Sequence, residues 1–537
     1  MRKLNKRWLW YGLAIGLCLA LAACAGSDDA GAPEQEVPQD DGTDSEVTED
    51  DDLVAAMSAD IVSLDPHGSN DNPSSKVRSL VYETLVYQDE NMDLHPGLAE
   101  SYDRIDDLTW EFQLREGVTF HDGTELNAEA VKATLERVLD PDLASQRAFL
   151  FDMIEEIEVI DDYAVRITTA YPFAPLPAHL AHDAGGIISL QAIEEAENGE
   201  RNLDLEPVGT GPFKIDVWEQ GSEITLVKNE AYWGEAAKLN SVTLKVVPEQ
   251  LTRIGMLENG EAHIADRLEP ANAERVDNMD GVHLVAQPSL SLTYVGFNVE
   301  KEPFDDVRVR QAISMAIDTE VINEGIYEGY GTPAKGPINE LVFGYKDDLE
   351  GLPYDPERAQ ELLAEAGYAD GFSTTIWTND DNPTRVQTAE YIQDQLSEIG
   401  IDVEIELVEW GAFLDATAEG EHDMFVLGWV TVTGDADYGM YSLFHSSNFG
   451  APGNRSFYAN DEVDEKLSQA REESDEQTRL ELYHDVQEIL VEEAPMIYTV
   501  FDDFRVGVSD QVEGFIQHPN GLFLLKDVTL SGESNIY

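Results

Sequence analysis

The stretch YIQDQLSEIGIDVEIEL, residues 391–407, decides the fold class. Tyr391 to Ile399 reads as a helix, and Gly400 closes it, since glycine takes the left-handed turn of a helix end at little steric cost. From Ile401 to Leu407 apolar and acidic residues alternate, the signature of a strand with one buried face. Upstream, Asp355-Pro356 opens another helix with an N-cap and a proline at N1, and Leu362, Leu363 and Ala366 form its apolar face before Gly367. Downstream, DMFVLGW (residues 423–429) reads as a buried strand. Trp110 to Leu114 and Val242 to Val246 alternate as well. Helix, strand, loop, strand is an α/β arrangement, and no internal repeat interrupts it.

The amino-terminal end reads differently. Lys3, Lys6 and Arg7 precede an apolar run from Trp8 to Leu21, which ends in Leu21-Ala22-Ala23-Cys24. Basic, then apolar, then small is the order of a signal peptide, and the run is short for a membrane span. Its ending resembles the lipobox of bacterial lipoproteins, which implies cleavage before an acylated Cys24. Several acyl chains, each adding about 0.8 kcal/mol per buried CH₂, anchor where one holds only marginally. Cys18 leaves with the signal, so the mature body has no disulfide and no thiolate metal site. Stability must come from a core, and 537 residues are enough to build one in two or more lobes. Between Ala25 and Asp52 lies an acidic, Gly/Ser/Pro-rich tether with patterned sequence starting near Leu53.

With 33 basic and 108 acidic residues the net charge is −75, which excludes nucleic acid and anionic lipid as partners. Self-repulsion of this size calls for screening, and at about 1 M salt the Debye length falls to about 3 Å. A saline or alkaline habitat is the expectation. Enzyme signatures are missing: there is no His-Glu-x-x-His, no Gly-x-Ser-x-Gly and no phosphate-binding Gly-x-x-x-x-Gly-Lys loop. Gly209-Thr210-Gly211-Pro212 and His121-Asp122-Gly123 read as turns, and the 11 histidines are scattered without ligand spacing.

A collinear series of segments spans residues 53–537. It comprises SLDPH (63–67), YETL (82–85), PGLAES (96–101), WEFQLREGVTFHDG (110–123), GTGPF (209–213), NEAYW (229–233), FDDVRVRQAISMAI (304–317), Tyr354 through Tyr368, and Glu409-Trp410 ahead of Gly428-Trp429. Together they resemble the family 5 extracellular solute-binding proteins, receptors of peptide and nickel ABC importers. GWVTVTGDAD (428–437) with Leu443-Phe444 is most similar to the glutathione-binding branch. Dipeptide receptors carry an aspartate three residues after the tryptophan; here that position is Val432.

The resemblance implies a type II periplasmic-binding-protein-like fold: α/β, two hinged lobes, and an extra subdomain inserted in the first. After the signal peptide (1–23) and the lipidated tether (24–52), it places lobe I at 53–82, 206–291 and 498–537, the insert at 83–205 and lobe II at 292–497. Hinge strands are expected near Leu292 to Phe297 and Pro495 to Phe501. The implied partners are a small peptide and the permease subunits of an ABC importer; the protein is expected to be a monomer without cofactor or metal.

A peptide offers an ammonium, carboxylates and amide edges around an apolar body, so the cleft needs an aromatic wall and a few charged groups. Trp377, Trp410, Trp429 and Tyr294 are candidates for the wall, with core packing the competing role, above all for Tyr294 and Trp410. Asp435 or Asp437 is nominated for the ammonium, against helix capping, and Thr433 belongs to the same stretch. Arg385, in a polar loop after the strand of Trp377, and then Arg310 are nominated for carboxylates, against exposed salt bridges. Ser69, Asn70 and Asn298 could bond peptide amides. Two alternatives stay open. A nickel or metallophore receptor needs a cleft histidine, which residues 377–385 and 429–437 lack. A secreted carboxylate-dependent hydrolase would turn its substrate over.

Overall fold

The computed structural model describes residues 51–380 and 382–531. The leader, Cys24 and the tether up to residue 50 lie outside the described residues, as does the end of the segment 498–537.

Local signals set the element boundaries. Asp355 caps the helix Pro356–Glu365 by accepting from the Arg358 N–H, and Gly367 follows at φ 100°. The next helix runs over Pro383–Glu398, capped by Asn382, and therefore starts at Pro383 instead of Tyr391. Asn382-Pro383 repeats the cap-and-proline signal of Asp355-Pro356, but the polar first turns after it hide the apolar period. Strands follow at Ile401–Val408 and Met424–Val430, and both pair in parallel with Phe372–Asn379.

Those strands belong to an 11-stranded sheet whose middle is formed by two long antiparallel strands, Val282–Phe297 and Met496–Ser509. At one end Val282–Phe297 pairs with Met424–Val430; at the other Met496–Ser509 pairs with Ile264–Ala265, which leads on to Asp52–Met57 and Ser241–Val246. The two crossing strands thus link both halves of the sheet. Their register breaks between Pro288 opposite Asp503 and Leu292 opposite Phe501. Pro288 has no N–H to give the ladder, and the extra residues bulge outward, held by the Ser289 hydroxyl on the Asp502 carbonyl at 2.5 Å.

Residues 83–205 carry a four-stranded antiparallel sheet in the order Ala99–Arg104, Thr109–Leu114, Ala164–Thr169, Ile154–Asp161. Its core is continuous with that of the first half of the large sheet, joining Phe112 and Ile167 to Leu53, Leu226 and Val508. Two further cores, around Phe297 and Val426 and around Phe425 and Tyr483, flank the other half.

Three of the sequence motifs meet at one carboxylate. Glu83 of YETL accepts from the Thr210 hydroxyl at 2.7 Å, the Tyr232 hydroxyl at 2.7 Å and the Trp233 indole N–H at 2.8 Å. GTGPF can reach this point because Gly209 lies against the helix end: a Cβ there would sit 2.2 Å from the Val81 carbonyl oxygen. The motifs are therefore a structural latch, not a phosphate cradle.

Candidate ligand-binding cleft

A cavity of about 360 Å³ opens at the bulge of the crossing strands. Ser289 and Ser291 of the bulge and Asp502–Val506 opposite form its base; Asn70–Pro73 with Ser75, Lys76 and Arg267 form one wall, and Gly428–Val430 with Val432 and Tyr438 another. Arg147, His182 and Asp183 reach in from residues 83–205. Walls supplied by both halves of the sheet are what a clamp requires. A larger cavity of about 680 Å³, between Gln88–Trp110 and Phe343–Arg479, lies away from the crossing strands.

Polar groups crowd the cleft. Asp183 accepts from Arg78 at 2.9 Å, has Arg147 3.8 Å away, and is held well below the usual carboxylate range by these guanidiniums and His182 against the opposing effect of burial. Burial keeps His182 neutral, down to about 3. Arg147 is 4% exposed and donates to the Ser69 carbonyl at 3.0 Å. Lys76 pairs with Asp266 at 2.5 Å. Asp503 has its pKa raised to about 6, first by burial and then by the neighbouring Asp502, with Arg505 opposing.

Of the residues nominated from sequence, Trp429 and Asn70 line this cavity. Trp429 stacks on Tyr438 at 5.3 Å, and its buried indole N–H has no partner among the described residues. Ser69 lies just behind, donating to Asp71 at 2.5 Å and accepting from Arg78. Arg385 is not in a loop but in the first turn of the helix Pro383–Glu398, where it bonds Asn379 at 3.0 Å and lies 5.8 Å from the ring of Trp410. It backs onto the cleft through Gly428, whose missing Cβ leaves it room. Trp377 donates to Thr375 at 3.2 Å, and Trp410 is exposed; neither lines the cleft.

The remaining nominees do other work. Asp435 is clamped by Arg479 in two bonds of 2.6 and 2.8 Å, and Asp437 by Arg471 in two of 2.8 and 3.0 Å. Both carboxylates are buried and already hold a guanidinium, and neither lines the cleft at the crossing strands; Asp435 and Thr433 border the larger cavity instead. Thr433 is buried beside them and accepts Gln88 on its carbonyl. Tyr294 is a core residue, edge-on to Phe425 at 5.7 Å. Arg310 ties the Glu493 and Phe304 carbonyls, and Asn298 those of Gly420 and His422. Each satisfies backbone groups that its own chain would otherwise bury unpaired.

Sequence reasoning missed Arg147, Arg267, Asp503 and Arg505. A signal for one of them exists: Asp502-Asp503 interrupts the apolar run that begins at Met496. Among the described residues no group of three or more His, Cys, Asp or Glu side chains is arranged to hold a metal ion.

Comparison with known proteins covers most of the chain. The profile of the bacterial extracellular solute-binding proteins, family 5, middle region, matches residues 93–451. The glutathione-binding protein GsiB of Salmonella typhi is 36% identical over 487 residues, covering 89% of this chain and 94% of that protein. GsiB of Pectobacterium atrosepticum is 35% identical over 489 residues, with the same coverage of 89% and 94%. Among solved structures, DppA of Helicobacter pylori in complex with the peptide STSA superposes with a TM-score of 0.76 at 32% identity, over 90% of this chain and 98% of that one. HbpA2 of Haemophilus parasuis gives 0.82 at 30%, over 90% and 100%.

Proposed function

The chain belongs to the family 5 bacterial extracellular solute-binding proteins, and from this premise we propose that it is the receptor of an ABC importer, capturing small peptides, glutathione among them, without altering them. One observation carries the reading: a cleft of about 360 Å³ straddles the two crossing strands and is lined from both halves of the sheet. That volume is near the lower end of the roughly 300–1,000 Å³ of small-molecule sites, which favours a ligand of a few residues over a long peptide. The names of the GsiB relatives favour glutathione.

Capture needs no chemistry, only differential affinity. A ligand that touches both walls binds the closed arrangement better than the open one and shifts the population by that difference. The bulge at Pro288–Leu292 is where the crossing strands would flex. Contacts that would part on opening include Gln88 to the Thr433 carbonyl at 2.6 Å and Ala174 N–H to the Arg471 carbonyl at 3.0 Å. In this reading the closed receptor docks on a membrane permease, tethered beside it through lipid on Cys24.

Thermal unfolding tests the proposal. At a hundred times its Kd a ligand adds about 2.7 kcal/mol of stability, so glutathione or short peptides should raise Tm. No shift with any of them, or turnover of a bound peptide, would remove the reading. Trp429→Phe should weaken the productive ligand about fivefold in calorimetric titration, the worth of one hydrogen bond of about 1 kcal/mol to the indole N–H.

A further inference from the structure

Arg267 and Asp503 are left over when the charges around the cleft are paired off. Lys76 is taken by Asp266, and Asp183 by Arg78 with Arg147 close by. Arg505 takes Asp502 at 2.6 Å, and Asp71 caps the helix Asn72–Val81. One cation and one anion remain, and among the described residues the side chains of Arg267 and Asp503 make no hydrogen bond or ion pair with the chain. Asp503 stands in the base of the cleft and Arg267 on the adjoining wall. The Leu268 N–H donates to the Arg505 carbonyl at 2.8 Å and the Arg505 Nε returns to the Leu268 carbonyl at 3.0 Å, lacing the two segments together.

Arg267 is held in a conformation few L-residues adopt, at φ 51°. Such strain persists only where the surroundings enforce it, and it gathers at ligand clamps. Here Arg253 enforces it, donating to the Asp266 carbonyl at 3.0 Å and the Arg267 carbonyl at 3.1 Å. Glycine would hold the same turn without strain, so an arginine at this position is explained by its side chain.

We infer that Asp503 reads a ligand's ammonium and Arg267 its carboxylate, so that the cleft selects zwitterions with both groups free. This rests on the peptide-receptor reading above and names the specificity of that site. Burial and Asp502 raise the Asp503 pKa to about 6, so a bound cation relieves a charge the chain alone leaves uncompensated.

A pH dependence follows. On its own strand Asp503 has Asp502 and Arg505 beside it. From the other elements around the cavity come Arg267, Lys76 with Asp266, Asp71, Arg147 with Asp183, His182 and Tyr438. His182 is held down to about 3 and Tyr438 pushed up to about 12, both chiefly by burial, so neither changes charge between pH 5 and 8. Protonating Asp503 removes the ammonium's partner, and affinity should fall roughly tenfold between pH 7.5 and 5.

The test is titration calorimetry of the full chain with glutathione and trialanine, each free, N-acetylated or carboxyl-amidated, against wild type, Asp503→Asn and Arg267→Gln. In wild type each blocking group should cost at least tenfold. In Asp503→Asn the N-acetyl penalty should vanish and the amide penalty stay; in Arg267→Gln the reverse. Asp503→Asn should also gain Tm at pH 7.5. The folded pKa lies above the unfolded one, so the stability of the protonated form is present near pH 4 and lost as pH rises through about 6; asparagine removes that loss. An N-acetyl penalty that survives in Asp503→Asn, or an equal loss of all ligands with a lower Tm, overturns the assignment and leaves the receptor standing. If neither free probe binds wild type, the peptide reading fails and the assignment with it.

Discussion

Asp435→Ala is expected to lower the stability of the domain by about 3–5 kcal/mol, the cost of leaving a buried guanidinium without its carboxylate. Arg479 is buried, gives two bonds to Asp435, one to the Ala470 carbonyl at 3.0 Å and one to the Tyr483 hydroxyl at 3.0 Å, and lies 4.7 Å from the ring of Phe343. None of these can follow it into water without opening the core around Tyr483. Urea unfolding should show the loss as a lower midpoint with an unchanged slope. The double variant Asp435→Asn, Arg479→Met should recover much of it, because removing both partners leaves no charge stranded. If the single variant is as stable as wild type but loses ligand, the aspartate belongs to the binding site after all.

The second large effect is expected at Glu83. Alanine there strands the hydroxyl of fully buried Thr210, the Tyr232 hydroxyl and the Trp233 indole at once. Bonds to a charged acceptor are each worth about 1.5–3 kcal/mol, and partial exposure of Trp233 discounts one of them, so a loss of about 3 kcal/mol is expected. Glu83→Gln, which keeps the shape and one acceptor, should fall between. The measurement is again urea unfolding, and equal stability of Glu83→Ala and wild type would show that the latch is decorative. Ligand affinity should be untouched in the folded fraction, since Glu83 does not line the cleft.

The contrast between these two positions shows what was readable. Glu83 stands in a motif whose partners, Thr210 and Tyr232-Trp233, stand in two others, so the sequence announced three fixed points without saying that they meet. Asp435 was noticed for the right reason, a carboxylate pair after a buried strand, and its partner lies 44 residues away on a helix. Among 108 acidic residues, nothing local distinguishes a carboxylate that holds an arginine from one that waits for a ligand. Arg385 was misplaced because a polar helix turn and a polar loop have the same composition until the cap at Asn382 is weighed.

By itself the sequence determined the fold class, the capped helix at Pro356, the alternating strands and the family, because periodicity, caps and glycine turns are settled by residues within one or two turns of each other. Which charges are consumed in pairs, where the bulge opens the crossing strands, and why Arg267 and Asp503 remain for a ligand were decided only in three dimensions. The physical reason is range: an ion pair or a cleft depends on which distant segments share a wall, and the register of strands separated by some 200 residues, such as Val282–Phe297 and Met496–Ser509, is set by the packed core and by no local signal.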